Sequence, residues 1–164
     1  MTIHTTRLTL ELLSEKDTSF ILELLNSEGW IKNIGNRNIH TEEDALAYIQ
    51  RITNNPDITY WNISLKENKS SIGVITFIKR DFLAHNDIGF ALLPAYYNKG
   101  YAYEATQAVL LRLAENNITN ILAYTLPNNF SCIKLLEKLG FTFEKSIVQE
   151  GEELHLYSNI KNED

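Results

Sequence analysis

Two stretches of this 164-residue chain place polar side chains and free backbone donors where chemistry could be done. The first is Asp87-Ile-Gly-Phe-Ala-Leu-Leu-Pro-Ala-Tyr-Tyr-Asn-Lys-Gly-Tyr-Ala-Tyr-Glu-Ala-Thr106. It reads as an apolar strand ended by Pro94, then a Lys99-Gly100-Tyr101-Ala102 turn that runs straight into a helix. A helix opening on a glycine turn leaves its first N–H groups unpaired, and with the positive end of its dipole these form an anion site, most often for phosphate. Gly100 lets a ligand approach the backbone with no Cβ in the way. Ala102 is small for the same reason, and Lys99 adds a cation. The second stretch is Pro127-Asn-Asn-Phe-Ser-Cys-Ile-Lys-Leu-Leu-Glu-Lys-Leu-Gly-Phe-Thr-Phe143. Asn128 offers a donor and an acceptor at a strand's end. Ser131 falls near a helix N-cap, where a hydroxyl serves either as cap or as ligand contact. Neither Gly-x-x-x-x-Gly-Lys-Ser/Thr nor Gly-x-Gly-x-x-Gly occurs, which sets kinase and dinucleotide readings aside.

The surrounding pattern supplies the elements that must hold these groups. Residues 7–13 alternate as a first strand. Ser14 and Asp17 resemble a capping box ahead of a helix carrying Phe20, Ile21, Leu24 and Leu25. Residues 26–40, rich in Gly and Asn, read as a loop. Thr41 opens a helix through Ile52 with Ala45, Tyr48 and Ile49 on one face. Strands are expected at 60–65, 71–79, 86–93 and 121–125, and helices at 101–115 and 131–139, the last stopped by Gly140. Segments 141–148 and 154–160 close the chain as a strand pair around Gly151. The order β-α-α-β-β-β-α-β-α-β-β, without repeats or linkers, predicts a single domain over 1–164 of the α+β (mixed α/β) class. Its mixed sheet should carry helices on both faces.

Composition narrows the function. The net charge of −6 argues against nucleic-acid binding, which relies on clustered Lys and Arg. No apolar run is long enough to span a membrane, and no secretory signal opens the chain, so a cytoplasmic location is expected. The single cysteine, Cys132, lies in an apolar-periodic helix and reads as packing. His4, His40, His85 and His155 have no metal-ligand spacing, so no metal is expected.

The segment from Asp87 to Thr106, followed by Asn128-x-x-Ser131 and Leu-Glu-Lys-Leu-Gly-Phe141, resembles the GNAT superfamily of N-acetyltransferases. It is most similar to the RimJ/RimL-like branch, the ribosomal-protein N-terminal acetyltransferases. Gly35-Asn-Arg-Asn-Ile, Thr41-Glu-Glu-Asp-Ala-x-x-Tyr-Ile49 and Ile78-Lys-Arg-Asp81 extend the likeness over nearly the whole chain. The resemblance implies the GNAT fold, a mostly antiparallel sheet of about seven strands with about four helices on its faces. Strands 86–93 and 121–125 should splay apart to admit a pantetheine arm. Backbone groups of Leu92 and Leu93 would pair with that arm. Amides of Tyr97, Asn98, Lys99, Gly100, Tyr101, Ala102 and Tyr103 would hold the diphosphate of acetyl-CoA, with Asn128 and Ser131 near its thiol. The family writes this turn Gln/Arg-x-x-Gly-x-Gly/Ala. Here Tyr97 takes the first position, and Asn98 stands where the branch often has glycine. Neither change removes a backbone donor.

The implied reaction is acetyl transfer from acetyl-CoA to a primary amine, either a protein N-terminus or a small molecule, by direct attack on the thioester. A base takes the ammonium proton, and donors stabilise the oxyanion and the departing thiolate. Asp87 is the first candidate for the base, because the branch commonly has an acid just before Ile-Gly-Phe. A carboxylate facing water at a strand end is the bland alternative, and Glu28 and Glu104 rank lower. Ser131 or Tyr103 could donate to the thiolate. Trp30, Asn33, Asn36, Arg37 and Asn38, with the hairpin around Gly151, would form the acceptor pocket, and Arg37 would suit a carboxylate. Two other readings stand: a non-catalytic module that binds or senses acyl-CoA, and an interaction domain that kept only the fold. Monomer and homodimer are both compatible with exposed edge strands.

Overall fold

Central strands covered on both faces should read as nearly unbroken apolar runs. Ser71–Ile78 does so, and it lies in the middle of the sheet beside Ile58–Leu65, which is buried over most of its length despite Thr59, Asn62 and Ser64. The computed structural model describes residues 2–161. Met1 and residues 162–164, at the ends of the expected 1–164 domain, lie outside the described residues. The described residues form eight strands and five helices. The strands are β1 (Ile3–His4), β2 (Leu8–Leu12), β3 (Ile58–Leu65), β4 (Ser71–Ile78), β5 (Asp87–Leu92), β6 (Leu122–Thr125), β7 (Thr142–Gln149) and β8 (Glu152–Ser158). The helices are α1 (Thr18–Leu25), α2 (Glu28–Asn33), α3 (Glu42–Thr53), α4 (Tyr101–Glu115) and α5 (Phe130–Lys138), with short 3-10 turns at Glu15–Asp17 and Pro94–Tyr96. Relative to the expected seven strands and four helices, β1 and α2 are additions.

Helix α2 corrects the loop expected over 26–40. Its Asn- and Gly-rich composition hides it, but the Ser27 side chain caps it by accepting from the Trp30 N–H, and Trp30 buries its indole beneath it. The capping box at α3 forms as its spacing suggests: Thr41 Oγ1 accepts from the Asp44 N–H, and the Asp44 carboxylate accepts from the Thr41 and His40 N–H groups.

The sheet runs β1-β2-β3-β4-β5-β6-β8-β7, antiparallel throughout except where β5 meets β6. Helices cover both faces. Ala105, Val109 and Leu113 of α4 and Leu136 of α5 pack on Ile75, Phe77, Ile88 and Leu92. Ile21, Leu24 and Leu25 of α1, Trp30 of α2, and Ala45, Tyr48, Ile49 and Ile52 of α3 pack on the other face against Tyr60 and Val74.

Candidate active site

Strands β5 and β6 run parallel, yet they are in register at one pair only, Asp87 opposite Leu122, where the Leu122 N–H donates to Asn86 O at 3.0 Å. Beyond that pair they part. Alternation along β5 decides which groups face the gap. Leu93 N–H donates to Ile72 O at 2.8 Å, so the backbone groups of residues 89, 91 and 93 point at β4, and those of 88, 90 and 92 point toward β6. Leu92 therefore presents its amide and carbonyl to the cleft. Leu93 does not: its N–H is bonded to Ile72, and its C=O accepts from the Tyr96 N–H. The expectation for Leu93 is corrected on that ground.

At the open end of the cleft, β5 leads into the turn before α4. Asn98 and Gly100 both take left-handed conformations, with φ of 60° and 81°. Asparagine is among the few side chains that tolerate this region, so Asn98 keeps the conformation a glycine would take there. Tyr97 N–H is bonded to Pro94 O, whereas the amides of residues 98–103 make no hydrogen bond among the described residues, and α4 makes its first internal bond at Glu104 N–H to Gly100 O. Six consecutive donors thus point out of a helix start. The turn is tied down from β2. Arg7 Nε bonds Glu104 Oε1 at 2.8 Å, an Arg7 Nη donates to Lys99 O at 2.9 Å, and the guanidinium lies 4.3 Å from the Tyr101 ring centre. Thr5 Oγ1 and Arg7 N–H both donate to Glu104 Oε2. Thr5 and Arg7 stand in no motif of the sequence, and Glu104 one turn into a helix looks like an ordinary partner of the helix dipole. The turn also touches α2: a Cβ on Gly29 would fall 1.9 Å from the Tyr97 hydroxyl.

On the far side of the open end, Asn128 and Ser131 are exposed after β6. Ser131 is not the cap: Asn129 Oδ1 accepts the Cys132 N–H, leaving the Ser131 hydroxyl free of capping. Tyr103 lies under Lys138, whose Nζ is 4.1 Å from its ring centre. Cys132 packs against the α4-side core, and burial pushes its thiol up.

Asp87 stands at the closed end, about 10 Å of strand from the end of β6. It does not face water: it is 3 % exposed, and its Oδ2 accepts from Arg80 Nε at 2.7 Å. Burial raises its pKa above the ordinary carboxylate value, against the pull of Arg80. Its side chain lies on the α1–α3 face with Gly89 and Ala91. Around it are Tyr124, whose ring centre is 5.1 Å from the Arg80 guanidinium, and the hydroxyl pair Tyr48–Tyr60 at 3.0 Å. Burial raises the Tyr60 and Tyr124 phenols, which Arg37 and Arg80 both pull down.

The expected acceptor residues divide. Arg37 and Asn36 are exposed on the segment between α2 and α3, where Asn36 Oδ1 accepts the Asn38 N–H. Trp30 is 3 % exposed and belongs to the α1–α3 core, so as an acceptor-contact residue it is corrected. Among the described residues no cluster of three metal-ligating side chains occurs, and no helix is long and apolar enough to cross a membrane.

A family model described as an acetyltransferase (GNAT) domain matches residues 7–142. An uncharacterised N-acetyltransferase of Bacillus subtilis, YnaD, is 32% identical over a 158-residue alignment that covers 93% of this chain and 91% of that protein. The crystal structure of a GNAT-family acetyltransferase from Bacillus anthracis superposes with a TM-score of 0.80 at 27% identity, covering 96% of this chain and 97% of that one. RimL, a ribosomal L7/L12 α-N-protein acetyltransferase solved with coenzyme A, matches in fold with a TM-score of 0.84 at 15% identity over 98% of each chain.

Proposed function

This chain belongs to the GNAT acetyltransferase family, and on that premise we propose that it transfers an acetyl group from acetyl-CoA to a primary amine. The observation that carries this reading is the half-open β5–β6 pair with six unpaired amides at its mouth. The site fits the cofactor: a row of N–H groups at a helix start suits a diphosphate, and the unpaired edge of β5 at Phe90 and Leu92 suits the amides of a pantetheine arm. Bound there, the co-substrate supplies an activated carbonyl and a thiol leaving group.

The residues then divide the work. The amides of Asn98, Lys99, Gly100, Tyr101, Ala102 and Tyr103 hold the diphosphate, and Leu92 aligns the arm. Asp87 takes the proton from the acceptor ammonium, since only the free amine can attack. A C–N bond forms as the C–S bond breaks, and the thiolate recovers a proton from Ser131, Tyr103 or water. Holding both partners in one cleft contributes much of the rate. RimL is named for acting on a protein N-terminus, and such an end is itself a primary amine.

Two measurements test this. Coenzyme A should raise the melting temperature, as any ligand of the native state must. Thiol release from acetyl-CoA should then appear with at least one member of a panel of peptides, amino acids and polyamines. Stabilisation without transfer to any amine would assign a binding or sensing module instead. No stabilisation would remove the cofactor site.

A further inference from the structure

Gly29 is a glycine that its own helix does not require. It is the second residue of α2, and it does not share the positive φ of Gly35, Gly100, Gly140 and Gly151. Glycine is the poorest helix former after proline, so alanine would suit the position better. A close approach accounts for the glycine instead. A Cβ there would lie 1.9 Å from the Tyr97 hydroxyl and 3.3 Å from the ring carbon that bears it. The tip of the tyrosine therefore rests directly on the α2 backbone. Trp30, the next residue of α2, is buried in the cluster that contains Leu93 and against which Tyr96 packs. Gly29 and Trp30 thus meet one continuous stretch, residues 93–97, which joins β5 to the turn before α4.

Tyr97 immediately precedes Asn98, the first of the six unpaired amides. Its own backbone is extended, with φ −67° and ψ 153°, and its N–H is bonded to Pro94 O. The amides after it have no hydrogen bonds of their own to aim them, so their direction is set from outside. Arg7 holds Lys99 O from β2, and the seat on Gly29 holds the preceding residue from α2. We propose that Gly29 is a positioning residue for this turn: the missing Cβ lets Tyr97 seat on α2, and the seat keeps residues 98–103 arranged to receive the diphosphate. The inference rests on the acetyl-CoA reading of that turn. Trp30 fixes α2 in the core, whereas Tyr97 is 42% exposed, so a methyl group at position 29 displaces the tyrosine and not the helix. The turn must then be ordered anew as the ligand binds, which weakens affinity. Helix α2 itself gains from the better helix former. Stability and affinity therefore move in opposite directions, which a general loss of packing would not produce.

The test uses the full chain and coenzyme A, with Kd by calorimetry and the ligand-free melting temperature, for wild type, Gly29→Ala, Tyr97→Phe and the double variant. Gly29→Ala should raise Kd about two- to tenfold, the range for ordering one side chain on binding, while the melting temperature stays level or rises. With an accepted amine, KM for acetyl-CoA should rise by the same factor, and the turnover number at saturation should not follow it. Tyr97→Phe removes the atom at 1.9 Å and leaves the ring carbon at 3.3 Å, so Gly29→Ala should cost little affinity in that background. The proposal is overturned if Gly29→Ala binds coenzyme A as tightly as wild type, if its melting temperature falls together with affinity, or if the loss is equal in both backgrounds. In each of those cases the acetyl-CoA reading still stands, because the wild type binds. A wild-type chain that does not bind coenzyme A overturns both.

Discussion

The two ends of β5 bind charge by different means. Its C-terminal end runs into a turn that offers main-chain N–H groups, free because α4 begins there and no side chain caps it. Its N-terminal end offers side chains, Asp87 and the residues around it, gathered from β3, α3, β6 and the segment after β4. The turn tolerates much sequence change, since any residue but proline brings an N–H, provided the left-handed positions at Asn98 and Gly100 are kept. The side chains at the other end tolerate little, because Asp87 is buried and paired with Arg80. On the proposed reading, cofactor recognition is generic and acceptor recognition particular, a division suited to enzymes that share one donor and differ in acceptor.

The comparison can be broken by uncoupling the two ends. Asp87→Asn keeps the shape and a partner for Arg80 but removes the proposed base. The turnover number should fall about 10²- to 10⁴-fold, while the stabilisation given by coenzyme A stays the same. The wild-type rate should decline as pH drops through the raised pKa of Asp87, because the base works deprotonated, and that acid limb should vanish in the variant. An unchanged rate across the pH range would take Asp87 out of the mechanism.

At the other end, Gly100→Val forces a branched side chain into φ 81° beside Arg7. Strain of about 1–3 kcal/mol at such a position should appear as a rise of tenfold or more in KM for acetyl-CoA, with the rate at saturation nearly kept. A large fall in turnover instead would show that the ends are not independent. Arg7→Met removes the bond to Lys99 O and the tie to Glu104, so KM for acetyl-CoA should rise a few-fold, in line with about 1 kcal/mol per hydrogen bond. Selectivity among acceptors should not move. Any loss of global stability should stay small, since Arg7 is largely exposed.

The same contrast explains what could be read beforehand. The turn is legible because proline, two left-handed positions and a helix start lie within eight residues, and their physics is local. The clamp on it was not, because Arg7 and Glu104 are 97 positions apart and meet only once β2 and α4 are placed. Arg80 lay within the quoted Ile78-Lys-Arg-Asp81 stretch, yet as an arginine after a strand it carried no chemistry until Asp87 was found across the connection. Trp30 was misjudged in the opposite sense: its neighbours look like a loop, so its burial under a short helix was invisible.

The chain's own order of residues determined the alternating strands, the Thr41 cap, and the run from Pro94 into α4, since each depends on neighbours a few positions apart. Tertiary structure alone decided that β5 and β6 hold together at Asp87 and part beyond it, and that the Asp87 carboxylate is buried against Arg80 and beside Tyr124. Proton affinity arises from desolvation and from the distance between groups remote in sequence, and the fold sets both.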